Sequence, residues 1–333
     1  MRIVTLLLYD TPAQTGSDPA SRLPAFEFVL GRGARTRLPQ PDPISWLCSR
    51  FGLARQPDWP VAPLLARAAS LDATRPVWLC ADPVHIELRG QRATIIPAPA
   101  LSLSEAESAE LVAALDLHFC EHDLRFFAFD RTRWLINTSL SAGLHSGPLP
   151  GISGGLEQIL GSGPDAARWN ALLTEAQMLL HAHPVNTARQ AAGKPEINGL
   201  HLWGAGTHPR PKTPDALVAS NDPLTLALSA AAGVASVAST GELVDRLQAD
   251  ASALVVSSPP GDAGAVADCL LATEREWLAP LLHCVRRGRI DRLELVAPQP
   301  QGLVRHTVTP ARSSRLWNAM RSLGRYFAKA PTQ

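Results

Sequence analysis

The sequence predicts an α/β protein built on a layered mixed sheet, and three observations predict it. After Gly206 the segments "DPLTLALSAAAGVAS", "GELVDRLQ", "ALVVSS", "VADCLLATEREWLAPLLHCVRRG" and "RLELVAP" alternate helical and extended periodicity, the pattern of a layered α/β sheet. The N-terminal "RIVTLLLY" is a short apolar run ended by Asp10. It is too short for a membrane span and has no small-residue cleavage site, so it reads as a buried first strand. Hydrophobic residues make up 46% of the 333 positions and charged residues 18%. That balance describes a folded chain with length for one large domain or two ordinary ones.

The elements follow in order. "AFEFVL" reads as a second strand, a proline-broken region follows, and "PLLARAASL" reads as a helix. "RPVWLCADPVHIEL" predicts a strand, a turn at Asp82-Pro83 and a second strand. "SLSEAESAELVAALDLHF" opens with a capping box, Ser104 to Glu107, and continues as a helix. "LRFFAFDRTRWLINT" predicts a hairpin and "HSGPLPGISGG" a loop. Trp169, Leu172, Leu173, Ala176 and Leu180 share one face at helical spacing after a cap at Ser162 to Asp165. Pro184 ends that helix, and "INGLHLW" is a strand closing on Gly204 to Gly206.

A net charge of +1 gives the whole chain no electrostatic case for nucleic acid. The charge is unevenly placed, because no acid follows Glu294 while Arg305, Arg312, Arg315, Arg321, Arg325 and Lys329 do. The terminal segment reads as a basic amphipathic helix. Docking on its own domain is the expected use of Arg312 to Lys329, and contact with a membrane surface the less favoured one. Five cysteines without a CxxC pair argue against a disulfide framework and a thiolate zinc site. They place the protein in a reducing, cytoplasmic setting.

Four short patterns bear on chemistry. "HFCEH", His118 to His122, matches the HxxEH order of inverted zinc peptidases, but it continues the Leu111–Leu115 apolar stripe and lacks a third ligand. "GISGG", Gly151 to Gly155, fits GxSxG without the preceding strand that a nucleophile elbow needs. "GRGARTR", Gly31 to Arg37, lacks the lysine of a phosphate loop and is followed by Pro39. The fourth is Leu180 to Gly206. There His183 is expected in the last turn of a helix, Asn186 and Arg189 on one face of a resumed turn, and "WGAG" at the carboxyl end of a strand, where open α/β sheets bind ligands. Two readings stand: a small-molecule site, or a set of caps and staples at a junction.

"WLCADPVH" (Trp78 to His85), "RWLI" (Arg133 to Ile136) and "EAQMLLHAHPVN" (Glu175 to Asn186) resemble blocks of the bacterial RpfE-type regulatory protein family, and this likeness covers most of the chain. The stretch from Leu179 to Pro209 is also similar, more distantly, to archaeal-type cofactor-independent phosphoglycerate mutases of the alkaline-phosphatase superfamily. That resemblance implies a reduced alkaline-phosphatase-like core with an inserted cap: residues 1–75 and 206–333 as core, 76–205 as cap-like region. It also implies a ligand-binding set of His183, Asn186, Arg189, Asn198, Gly204 and Gly206.

The mutases carry two divalent metal ions on Asp and His ligands, and a serine that is transiently phosphorylated. Here Asp10 follows the first strand without the expected glycine. "PLPGI" stands where a histidine-bearing block is expected, and "PPGDAGAVAD" supplies Asp262 and Asp268 but no histidine. Two metal ions need a larger ligand set. The resemblance therefore implies a chain without catalytic residues or cofactor, acting as a regulatory or scaffold protein on a phosphorylated metabolite or a protein partner. The alternative is a divergent active mutase or metal-dependent phosphatase holding two divalent metal ions.

Overall fold

Strand β1 (Ile3–Leu8) forms where the apolar run places it, with five of its six residues buried. The computed structural model describes residues 1–10, 22–56, 58–71, 74–89, 92–144, 147, 162–258, 265–299 and 301–313. The chain divides into two compact units, Met1–Gly52 with Pro211–Gln333, and Leu53–Arg210. The second is thus inserted into the first. The sequence boundaries, at 75 and 205, differ most at the first crossing, because the helix at 61–68 belongs to the inserted unit.

In the first unit "AFEFVL" is not a strand. It lies in helix α1 (Pro24–Arg32), with Pro24 in the first helical turn, where its fixed φ and missing N–H are tolerated. Leu23 offers no side-chain cap. The Glu274 carboxylate accepts instead from Ala25 N at 2.6 Å and Phe26 N at 3.0 Å. Strand β2 (Ala34–Arg37) and helix α2 (Pro43–Arg50) follow, the latter capped by Asp42.

The inserted unit begins with helix α3 (Val61–Ala68) and strand β3 (Val77–Arg89). The expected turn at Asp82-Pro83 is absent, and β3 runs straight through it. The pairing explains why. Strand β6 (Trp134–Thr138) pairs with β3 only up to Cys80, and β4 (Arg92–Pro97) only from Val84 onward. Ala81 to Pro83 therefore have no partner strand on that side, and a residue without an N–H sits there at little cost. On the other side β7 (Gly199–Gly206) pairs along Trp78 to Val84.

Helix α4 (Glu105–Phe119) carries the expected capping box, Ser104 Oγ accepting from Glu107 N and Glu107 accepting from Ser104 N. Strand β5 (Leu124–Ala128) forms the expected hairpin with β6. Helix α5 (Ala166–His181) buries Trp169, Leu173, Ala176 and Leu180. Its Asp165 makes no cap bond and accepts from Gly143 N instead. Helix α6 (Pro184–Ala191) follows at once. One apolar cluster joins Leu79, Ala81, Leu200 and Leu202 of the sheet to these helices.

The chain re-enters the first unit as β8 (Asp215–Ser220), α7 (Pro223–Ala232), β9 (Ala235–Ser236), α8 (Thr240–Arg246) and β10 (Ser252–Ser257). After α9 (Ala265–Thr273), a π-helical turn over Glu274–Leu278 leads into α10 (Ala279–Arg286). Strands β11 (Arg292–Gln299) and β12 (Gly302–Val308) follow, then the short α11 (Pro310–Ser313). The seven-stranded sheet runs β2-β12-β11-β1-β10-β8-β9. β1, β8, β9, β10 and β11 are parallel, while β12 and β2 are antiparallel at one edge. This is the layered mixed sheet that the alternation predicts. The basic segment from residue 314 onward lies outside the described residues. No described helix is long and apolar enough to cross a membrane.

Candidate functional site

Parallel α/β sheets offer ligands the carboxyl ends of their strands. In the first unit that edge carries Tyr9 and Asp10 after β1, Asn221 and Asp222 after β8, and Ser257 at the end of β10. One oxygen of Asp222 is committed: its Oδ2 accepts from Thr225 N at 2.8 Å, Thr225 Oγ1 at 2.7 Å and Tyr9 Oη at 3.0 Å. Burial first, and the Asp222 charge second, push the Tyr9 phenol well above its ordinary pKa. Ser257 Oγ lies against Thr273 Oγ1 and, at 3.3 Å, against Cys269 Sγ. Burial raises the pKa of the Asp10 carboxyl. Asp268 is exposed on α9, and Asp262 lies outside the described residues.

Among the described residues this donor set does not fit a pair of divalent ions: Asp10 and Asp222 are the described carboxylates at the edge, and Oδ2 of Asp222 serves a helix cap and a phenol. Among the described residues no group of three or more His, Cys, Asp or Glu is placed to hold a metal.

The Leu180 to Gly206 stretch is brought together as a junction. His183 is not in the last turn of α5. It is the N-cap of α6, its Nδ1 accepting from Val185 N at 3.2 Å. The physical reason is Pro184, which starts the next helix so closely that the preceding residue faces an N-terminus. Asn186, 0% exposed, bridges two segments: its amide donates to Leu180 O and Ile197 O and accepts from Ile197 N. Arg189, 1% exposed, donates to Pro195 O at 2.8 Å, Leu101 O at 2.6 Å and Glu107 Oε1 at 3.1 Å. Burial alone would raise the Glu107 pKa, but bonds from Ser104 and Arg189 hold it below the ordinary value.

Asn198 does the work of a strand residue, accepting from Ile86 N and donating to Ile86 O. Gly204 has φ +67 and donates to Asp58 Oδ2 at 2.7 Å. At Gly206 a Cβ would come within 2.6 Å of Gln56 Oε1 and 2.7 Å of Pro60 Cβ. The two glycines thus let the segment before α3 approach β7, and the polar groups of Asn186, Arg189 and Asn198 bond to the protein's own backbone.

A second polar group, which the sequence reading did not single out, lies beside them on the sheet. Asp82 accepts from Trp203 Nε1 at 2.9 Å and from Arg133 Nε at 3.2 Å, and the Arg133 guanidinium stacks 5.0 Å from the Trp203 ring centre. Burial opposes the charge on Arg133, yet Asp82 holds its pKa above the ordinary value. His201, opposite Asp82 across the ladder, is 1% exposed. Its Nε2 meets Gly147 O at 2.7 Å and its Nδ1 has no partner among the described residues. Burial lowers its pKa. Asp82 lies in "WLCADPVH" and Arg133 in "RWLI", and only the folded chain shows that these two charged residues meet.

The remaining patterns dissolve into structure. His118 bonds Glu175 at 2.7 Å across α4 and α5, and the His118 and His122 rings stack 6.4 Å apart, with no metal-holding group among the described residues. Arg35 and Arg37 of "GRGARTR" extend from β2 to the side chains of Gln299 and Gln301. "GISGG" lies outside the described residues. A cavity of about 540 Å³ in the inserted unit is lined by Arg67, Ser70, Leu71 and His208. Burial first, and the Arg67 charge second, lower the His208 pKa.

The fold and these sites define a layered α/β protein with one unit inserted into another. The sequence matches no family profile. It is 29% identical over 111 residues to the 2,3-bisphosphoglycerate-independent phosphoglycerate mutase of Methanosarcina mazei, and 28% identical over 111 residues to that of Methanosarcina barkeri. The match takes in 32% of this chain and spans 28% of the length of each mutase. Among solved structures, the PH0037 protein from Pyrococcus horikoshii shares the fold at 15% identity, with a TM-score of 0.50 over 92% of this chain and 87% of that one. A cofactor-independent phosphoglycerate mutase from Thermoplasma acidophilum aligns with a TM-score of 0.41 at 18% identity over 92% of this chain and 89% of its own. The chain is thus distantly similar to phosphoglycerate mutases.

Proposed function

We propose that this protein is a non-catalytic relative of the phosphoglycerate mutases, a cytoplasmic regulatory or scaffold protein of the RpfE type that recognises a phosphorylated metabolite. The reading is carried by Asp222. At the carboxyl edge of the parallel sheet, where a phosphotransfer centre would need free carboxylates, this one caps α7 and accepts from Tyr9. Its Oδ2 is committed to the fold, and a metal would have to displace three hydrogen bonds to reach that oxygen. The distant likeness to mutases supports a phosphorylated ligand, and the missing histidines support loss of turnover.

The test joins metal content and turnover. Purified protein should carry no stoichiometric manganese or zinc by elemental analysis. With manganese or cobalt added, it should not interconvert 3- and 2-phosphoglycerate above background in an enolase-coupled assay. Turnover near about 1 per second, the low end of ordinary enzymes, together with two bound metal ions, would instead establish an active mutase or phosphatase.

A further inference from the structure

We propose that the cavity between the end of α3 and the segment after β7 is a binding subsite for a phosphomonoester anion, held by Arg67, His208 and Ser70. This rests on the reading above that the ligand is phosphorylated, and it gives that ligand a place. The volume of about 540 Å³ lies within the range of small-molecule sites.

The local structure keeps Arg67 and His208 available. Helix α3 closes on its own backbone: Ala69 N bonds Leu65 O, Ser70 N bonds Arg67 O and Leu71 N bonds Ala66 O, each at 3.0 Å. Ser70 turns the chain with a φ of 53. Three of the last carbonyls are therefore satisfied by the turn, and Arg67 is not needed to cap them. On the other wall, the Gln56 side chain clamps Thr207, accepting from its N at 3.0 Å and donating to its O at 3.3 Å. His208, the next residue, is delivered to the cavity by a fixed strand end.

Neither Arg67 nor His208 forms an ion pair with a carboxylate among the described residues, and the charge of one depresses proton binding by the other. An anion between them offsets the Arg67 charge and favours the protonated imidazole. A phosphate offers the guanidinium a planar edge with two acceptors and leaves an oxygen for the imidazolium and another for the Ser70 hydroxyl. Leu71 supplies the apolar wall.

Nuclear magnetic resonance of the imidazole rings in the full chain tests the site, with 3-phosphoglycerate as probe and glycerate as its phosphate-free control at constant ionic strength. The His208 ring signals should move with 3-phosphoglycerate and stay in place with glycerate. By calorimetry, Arg67→Ala and His208→Gln should each weaken 3-phosphoglycerate binding at least about tenfold, the loss of one charge-assisted hydrogen bond. Both variants should unfold at the parent midpoint, since both side chains are exposed. Binding that survives both substitutions would overturn the subsite and leave the metal-free reading standing. So would unmoved His208 signals at millimolar probe. Turnover with bound metal would overturn that reading itself, whatever these variants do.

Discussion

Arg189 and Glu107 meet at 3.1 Å across 82 residues of sequence, and the contact joins the start of α4 to α6. Glu107 is at once the third residue of a capping box and the partner of a buried guanidinium. Arg189 also holds the carbonyls of Leu101 and Pro195, so one side chain secures three segments of the inserted unit.

Removing that side chain should therefore be costly. Arg189→Ala should lower unfolding stability by about 3–5 kcal/mol, because it leaves buried acceptors without a donor. Arg189→Lys should restore little, since an ammonium cannot reach three divergent acceptors as a planar fork does. Urea denaturation read by tryptophan fluorescence measures both. An unchanged midpoint, with a lost response to 3-phosphoglycerate, would make Arg189 a ligand-binding residue and not a staple.

Acid should weaken the first unit through His306. Both ring nitrogens of this residue are buried without partners among the described residues, and burial, with a smaller contribution from the Arg35 charge, lowers its pKa to about 4. The unfolded chain takes up the proton near pH 6.5 and the folded chain only near 4. Stability is therefore whole above about 6.5 and falls as the pH drops towards 4, by on the order of 3 kcal/mol at most. His306→Leu should flatten that part of the stability profile and raise the midpoint at pH 5, as followed by denaturant titrations across the interval.

The close approach at Gly204 has its own test. Its φ of +67 disfavours any side chain, and a Cβ there would lie 3.1 Å from Val61 Cβ. Gly204→Ala should cost at least about 1–2 kcal/mol from the backbone alone. Asp58→Ala should cost about 1–3 kcal/mol by stranding the Gly204 and Trp59 amides. Thermal denaturation of the two variants checks both figures.

Asp222 links stability to a spectroscopic signal. Asp222→Ala should cost about 1–2 kcal/mol through loss of the α7 cap. It should also lower the Tyr9 pKa while leaving it above the ordinary phenol value, because burial is the larger cause of the rise. Ultraviolet titration of the tyrosinate band follows the shift. A phenol that titrates unchanged would show that the Asp222 contact has no electrostatic weight.

Much of the scaffold was legible because its signals are local. The Ser104–Glu107 box, the β5–β6 hairpin and the Trp169–Leu180 stripe need nothing beyond their own few residues. The failures share a remote cause. Helix α1 looked like a strand because its cap, Glu274, comes from the other end of the chain. β3 looked like a hairpin because the missing partner beside Pro83 depends on where β4 and β6 stop. His183 reads as a helix end because Pro184 serves equally as a stop for α5 and as the first residue of α6. The nearness of Arg67 to His208, which no periodicity encodes, depends on α3 folding with the inserted unit.

The two neighbours of β1 carry a consequence for the living chain. Ile3–Leu8 lies between β10 and β11, which end at Ser257 and Gln299. On the ribosome β1 is made long before either neighbour, while the inserted unit has all its residues by Arg210 and is free to fold. Throughout that interval a strongly apolar segment has neither edge satisfied, which is the condition under which strands associate with the wrong chain. Slowed translation, or chaperones that hold the nascent β1 segment, should thus govern the yield of folded protein more than the final stability does.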